Sequence, residues 1–205
     1  MEKFYALPEE KKQSIINAAL QCFGRYGYEK TSIQDIAEAA HISKASVFQY
    51  FGSKKQLYQF LLEYCKGITM EMFDREALDE EADLFERILA SARMKAETLK
   101  RQPFLTQFIA GAWEEDSEEV RDVLAALMDE SGQFREELVL RETDAVRFKN
   151  PEDVEPVFRM LILMAEGYAA HYRSREAFDF DTVVSEFETY IAVLRNNFYK
   201  EEYLV

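Results

Sequence analysis

The chain has 205 residues, 48% of them hydrophobic, with 7 glycines and 4 prolines, which is enough to bury one large core or two smaller ones and too few breakers for a linker-rich or low-complexity protein. Its start, MEKFYALPEEKK, lacks the apolar centre of a secretory leader, and no apolar run approaches the roughly 20 residues that cross a bilayer, so a cytoplasmic protein with no membrane partner is expected. A net charge of −14 argues against a polyanionic partner until it is divided along the chain: residues 1–55 hold eight basic against six acidic side chains, the remainder 17 against 33.

Pro8 suits the first turn of a helix, and Ile15, Ile16, Ala19, Leu20, Phe23 and Tyr26 follow at helical spacing until Gly27 closes it. Cys22, in this pattern, and Cys65, further on, fit no metal-ligand spacing and are expected to be reduced and buried. Thr31, with Gln34 at the third helical position, can cap a short helix whose Ile33, Ile36, Ala37 and Ala40 form one apolar face. The chain turns at His41-Ile42, where histidine tolerates positive φ better than most residues. Ser43 then caps a second helix, residues 44–51, with Val47 and Phe51 inward; Gly52 ends it and Ser53 with Gln56 caps the next. Two short helices across a tight turn, the second outwardly small and polar, make a helix-turn-helix whose second helix enters the major groove.

Thr31, the Asp35-Ile36-Ala37 triplet, the run from Ile42 through Ser43, Lys44 and Ala45 to Ser46, the aromatics Phe48, Tyr50 and Phe51, and Ser53-Lys54 resemble the DNA-binding domain of the TetR (tetracycline repressor) family over roughly residues 8–60. Phe48 stands where tyrosine is frequent in that family, so a phosphate hydrogen bond from that hydroxyl is absent. The resemblance implies an all-α homodimeric repressor that binds a palindromic double-stranded DNA operator and whose larger C-terminal domain takes a small effector. The divisions expected are residues 1–52 for DNA binding and 53–205 for effector binding and dimerisation, with about nine helices. Phosphate positioning falls to Thr31, Tyr50 and Lys54. Base edges fall to Lys44, Ala45 and Ser46 together with Gln34 and Gln49, and Ser43 is expected at the DNA beside them: lysine donates to guanine, glutamine suits adenine, and the Ala45 methyl suits thymine.

The next helix carries Leu57, Phe60, Leu61, Tyr64 and Ile68, with Lys54 and Lys55 in its first turn, where cations oppose the helix dipole and call for an external anion. After an acidic connection over residues 74–83, a helix is expected over 84–99, and Pro103 starts another that ends near Trp113. Ser117 caps a long amphipathic segment, residues 142–150 read as a loop, and a helix over 151–173 contains the most apolar run, VFRMLILMAEGYAAHY. The last helix spans about 181–199. There is no sustained strand alternation.

A helix apolar on more than one face is covered on more than one face. The resemblance assigns that cover to a second copy of the chain, through Leu163, Gly167, Ile191 and Leu194. Gly167 equally fits plain packing within one chain, and Glu166 fits an interface bond, a pocket carboxylate for a cation or a solvent-facing position. Phe85, Met94, Phe104, Phe108, Trp113, Met128, Phe134, Tyr168 and Tyr172 lie on the helices the resemblance makes pocket walls. Such rings and thioethers suit a mostly apolar effector, neutral or cationic given the acidic body. The only histidines, His41 and His171, accompany no nucleophile motif, glycine-rich phosphate loop or ligand cluster, so neither an enzyme nor a metal or other cofactor is expected. The alternative is a helical sensing or interaction module that has lost operator binding.

Overall fold

The structure, a computed structural model, describes residues 1–173 and 179–204, the side chains of 169–173 excepted. Among the described residues it is built from eleven α-helices and no strand; an isolated bridge joins Phe148 and Tyr199. The helices are α1 (Glu2–Tyr5), α2 (Glu9–Lys30), α3 (Ile33–Ala39), α4 (Lys44–Phe51), α5 (Lys54–Glu71), α6 (Arg75–Glu80), α7 (Leu84–Lys100), α8 (Pro103–Ala112), α9 (Arg121–Val139), α10 (Val154–Arg173) and α11 (Phe180–Phe198). None of them is long and apolar enough to cross a membrane.

Two of these helices go beyond the nine expected. Short α1 forms because Phe4 is drawn into the core, and α6 forms inside the acidic connection because Asp74 caps it through the Ala77 amide while Leu78 is buried. Pro151 begins a 3-10 turn, Pro151–Asp153, and the α-helix starts only at Val154. The stretch read as a loop holds a 3-10 helix, Glu142–Val146.

The chain divides into two compact units, Met1–Glu71 with Arg101–Glu130, and Met72–Lys100 with Ser131–Val205. In the first, α8 lies along α2. A Cβ on Gly24 would come within 2.9 Å of the Phe108 amide nitrogen and 3.0 Å of the Gln107 carbonyl carbon, so glycine is what allows that approach. Phe23, Tyr58 and Phe108 pack edge-on around the joint at 5.0 to 6.4 Å.

The second unit has its own core, in which the rings of Phe85, Phe148 and Tyr199 meet with centroids 4.9 to 6.1 Å apart. Three charged groups, Asp83, Arg87 and Asp144, are buried beside it, and each is paired. The Arg87 guanidinium pairs with Asp144 and donates to the Val139 and Glu81 carbonyls, both at 2.8 Å. Asp83 accepts from Arg195 at 2.8 Å and from the Phe85 amide at 2.9 Å, which caps α7. Removing either member of the Arg87–Asp144 pair would leave the other charge buried and uncompensated.

Candidate nucleic-acid interface

Local chemistry builds the interface from α2 forward. Gly27 takes φ 77°, breaking the helical path, and Thr31 then turns inward. Its hydroxyl donates to the Gly27 carbonyl at 2.8 Å and the Cys22 carbonyl at 3.0 Å, and the residue is 1% exposed. Thr31 is therefore a buried clasp and does not present a phosphate contact. The cap of α3 is Ser32, one residue later than expected: its hydroxyl accepts from the Asp35 amide at 3.1 Å, and the Asp35 carboxylate accepts from the Ser32 amide at 2.9 Å. Gln34, expected to close that box, instead donates to Glu38 at 2.7 Å on the outer face.

The turn follows from His41, at φ 53°, which lets the Ile42 amide reach back to the Ala37 carbonyl at 2.9 Å. Ser43 caps α4 by accepting from the Ser46 amide at 3.0 Å, and the two hydroxyls share a further bond at 2.8 Å. Val47 and Phe51 are buried, Phe51 lying 4.8 Å from Phe4 and 5.3 Å from Phe60. With the inner face pinned this way, Lys44, Ala45, Phe48 and Gln49 are exposed together, and Ser46 and Tyr50 are half-buried beside them. Gly52, at φ 82°, ends the helix with its amide on the Phe48 carbonyl at 2.8 Å.

Lys54 is placed differently from expectation. Its ammonium donates to the carbonyls of Tyr28, Thr31 and Glu29 at 3.0, 3.3 and 3.4 Å and sits 4.3 Å from the centre of the Tyr28 ring. It answers the carbonyl end of α2 rather than waiting for an external anion. Phe48, 44% exposed on the outer face of α4, enters the sequence reading only for its missing hydroxyl and not as a base contact. Its place one turn after Lys44 was the available signal.

The cysteines are free and buried; burial pushes the Cys65 thiol up to about 12 and, with Asp35 nearby, raises that of Cys22 as well.

The residues expected to line an effector pocket are divided. Phe104, Phe108, Trp113 and Met128 belong to the first unit, and Phe85, Met94, Phe134 and Tyr168 to the second. Phe85 and Phe108 are core, because a stripe at helical spacing first of all fills the interior. The side chains of Tyr172 and His171 lie outside the described residues. Of the residues expected at a dimer interface, Leu163 is 60% exposed and a Cβ on Gly167 would meet open space. Ile191, at 4%, is corrected to the core of its own unit, since it faces inward from α11; Leu194 packs half-buried against the same core. Met160, Tyr190 and Val193 are exposed on the same two helices. Glu166 is paired with Arg135 at 3.3 Å.

Comparison with known proteins agrees with this geometry. The family model described as bacterial regulatory proteins, tetR family, matches residues 15–60. The HTH-type transcriptional regulator RutR of Escherichia coli (strain K12) is 32% identical over 107 residues, 50% of this chain and 50% of that one, so the chain spans about half the length of that curated relative. Among solved structures, a TetR family transcriptional regulator from Chloroflexus aurantiacus J-10-FL superposes with a TM-score of 0.71 at 20% identity, covering 98% of this chain and 99% of the other. A transcriptional regulator from Saccharomonospora viridis, in complex with choline, gives 0.69 at 18% identity, covering 95% and 100%.

Proposed function

The chain belongs to the TetR family of bacterial regulatory proteins, and from that premise we propose that it is a homodimeric transcriptional repressor, bound to a palindromic operator and released by a small molecule. The observation that carries the reading is the arrangement of α4: Val47 and Phe51 anchor it inward while Lys44, Ala45, Phe48 and Gln49 face outward with no structure over them among the described residues. Lys44 supplies a donor for guanine acceptors and Gln49 an amide for adenine, while Ala45 and Phe48 offer apolar contact to thymine methyls. Gln34 and Ser46 enter base contact only by giving up the Glu38 and Ser43 bonds they now make. Tyr50 and Lys55 flank the groove as backbone contacts, Lys54 being engaged on the α2 carbonyls.

Division of labour is proposed at residue 52, with residues 53–205 binding effector and partner. Exposed Met160, Leu163, Tyr190 and Val193 favour burial against a second copy of α10 and α11. The choline held by the Saccharomonospora viridis regulator supports a small, mostly apolar effector, neutral or cationic. Release requires that the effector prefer the conformation in which the two α4 helices no longer match the operator; a shift from mostly bound to mostly free takes about 5.5 kcal/mol of differential affinity.

Selection of bound duplexes from a random library by the full-length chain tests this directly. The expected yield is an inverted repeat whose half-sites lie one helical turn apart or a multiple of it. Recovery of unrelated sequences, or no retention of duplex at moderate salt, overturns operator reading.

A further inference from the structure

Helices α2, α5 and the start of α8 border an open cleft of about 550 Å3, wholly within the first unit. That volume lies inside the roughly 300–1,000 Å3 span of small-molecule sites. No residue assigned above to DNA lines it, and of the described side chains expected to form an effector pocket it contains Phe104 alone.

Part of its lining is polar and already ordered. The Tyr64 hydroxyl donates to Gln13 Oε1 at 3.3 Å, and Gln13 Nε2 donates in turn to Asn17 Oδ1 at 3.0 Å. This chain of bonds fixes the amide of Asn17 as an acceptor toward Gln13, leaving its Nδ2 hydrogens to donate elsewhere and leaving lone pairs on the Tyr64 oxygen. Gln102, at the N-cap of α8, makes no capping bond with its side chain, so its amide adds a donor and an acceptor. Leu20, Ile68 and the ring of Phe104 supply apolar lining.

The charges decide the ligand class. Among the described residues Arg101 is the one charged residue in the lining and none of those lining it is a carboxylate. A cation would give up hydration without gaining a counter-charge. A carboxylate would meet only a surface guanidinium, whose attraction is screened by water and is worth about 0–1 kcal/mol. An uncharged group that both accepts and donates loses least on entry and matches the amide and phenol groups present.

We infer that this cleft binds an uncharged aromatic carboxamide, its ring against Phe104 and its amide bonded to Asn17, Gln102 and Tyr64. The inference rests on the reading that the chain answers to a small molecule, and it departs from the division proposed at residue 52, because Gln13, Asn17 and Leu20 of α2, the helix that leads into the DNA-binding pair, share the site.

Three probes that share one ring separate the chemistries: benzamide, benzoate and benzyltrimethylammonium, titrated into the full-length chain and followed by protein NMR shifts and melting temperature. Benzamide is expected to saturate with a dissociation constant of about a millimolar or below and to raise the melting temperature. Tyr64→Phe and Asn17→Leu should each weaken it about three- to tenfold, the loss of one neutral hydrogen bond. Phe104→Ala, at an exposed position, should weaken it as well and keeps the test open if an α2 or α5 variant folds poorly. Absence of saturable benzamide binding, equal binding of either charged probe, or indifference to all three substitutions overturns the site. Operator binding by the probe-free chain is measured separately: its loss with benzamide binding intact overturns the regulatory reading alone, and its presence without benzamide binding overturns the site alone.

Discussion

The ammonium of Lys54 lies 3.0 Å from the Tyr28 carbonyl oxygen and 4.3 Å from the centre of the Tyr28 ring, so the first residue of α5 closes the end of α2. Hydrogen bonds from a charged donor contribute about 1.5–3 kcal/mol each when buried and less when half-exposed, as this one is. Lys54→Ala should therefore lower the stability of the first unit by about 1–2 kcal/mol and weaken operator and random DNA together. Urea melts alongside salt titrations check it; unchanged stability with a salt slope reduced by one counterion would mean that the ammonium serves phosphate only.

Lys44 carries the opposite expectation. It is exposed at the first position of α4 and makes no ion pair among the described residues. Lys44→Ala should leave the melting temperature unchanged, cost about 1–3 kcal/mol of operator affinity and relax preference at one base position of each half-site. Competition against operators substituted one base at a time measures this, and a uniform loss over all sequences would reassign Lys44 to the backbone.

The contrast between these two lysines shows what the sequence made legible. Caps, a positive-φ turn and inward apolar pairs are local, so α3, the His41 turn, α4 and its Gly52 terminus stood in the residue pattern. The choice between Thr31 and Ser32 as cap did not, because both residues are competent and tertiary burial of the Thr31 hydroxyl under Cys22 and Gly27 decides it. Lys54 was misplaced for the same reason: an unfavourable cation at a helix start can be answered by an external phosphate or by another helix's carbonyls, and only packing chooses. The contact of α8 with α2 depends on Gly24, whose small size shows in the sequence without saying what approaches it.

Helix α8 can be tested at that glycine. A methyl group at Gly24 meets backbone atoms at 2.9 and 3.0 Å, which cannot swing aside as a side chain could. Gly24→Ala should cost about 1–3 kcal/mol through overpacking. The same change at Gly167 meets open space within the chain and should be neutral or slightly stabilising to the monomer. Chemical denaturation of both variants decides it, and an equal cost at the two sites would deny the close approach at Gly24.

Leu163 and Ile191 separate interface from core. Leu163 is 60% exposed and Ile191 only 4%. Leu163→Glu should give a folded monomer with operator binding lost, whereas Ile191→Glu should unfold the second unit, since an unpaired carboxylate in an apolar interior costs several kcal/mol. Sedimentation with circular dichroism distinguishes the two. A stable dimer after Leu163→Glu would move the partner surface away from α10.

Strong acid should fray the start of α3. The Ser32 hydroxyl, at 2.7 Å, and the Ser32 amide, at 2.9 Å, both donate to the Asp35 carboxylate and hold its pKa below the ordinary 3.8, against a slight opposing effect of burial. The folded value is thus lower than the unfolded one, and a group of this kind adds stability that is fully present above the unfolded pKa and is lost as pH falls through the folded pKa. No change from Asp35 is expected between neutral pH and about pH 5, and fraying of the α3 start is expected only in stronger acid. Ser32→Ala removes the larger of the two bonds and the cap on the Asp35 amide, so the carboxyl should titrate closer to 3.8 and its acid sensitivity should shrink. An NMR titration of the Asp35 side-chain carbon in both proteins, read with the Ser32 amide shift, gives the two midpoints. A wild-type midpoint at or above the ordinary value, or one that Ser32→Ala fails to raise, would show that the capping box is not closed in solution.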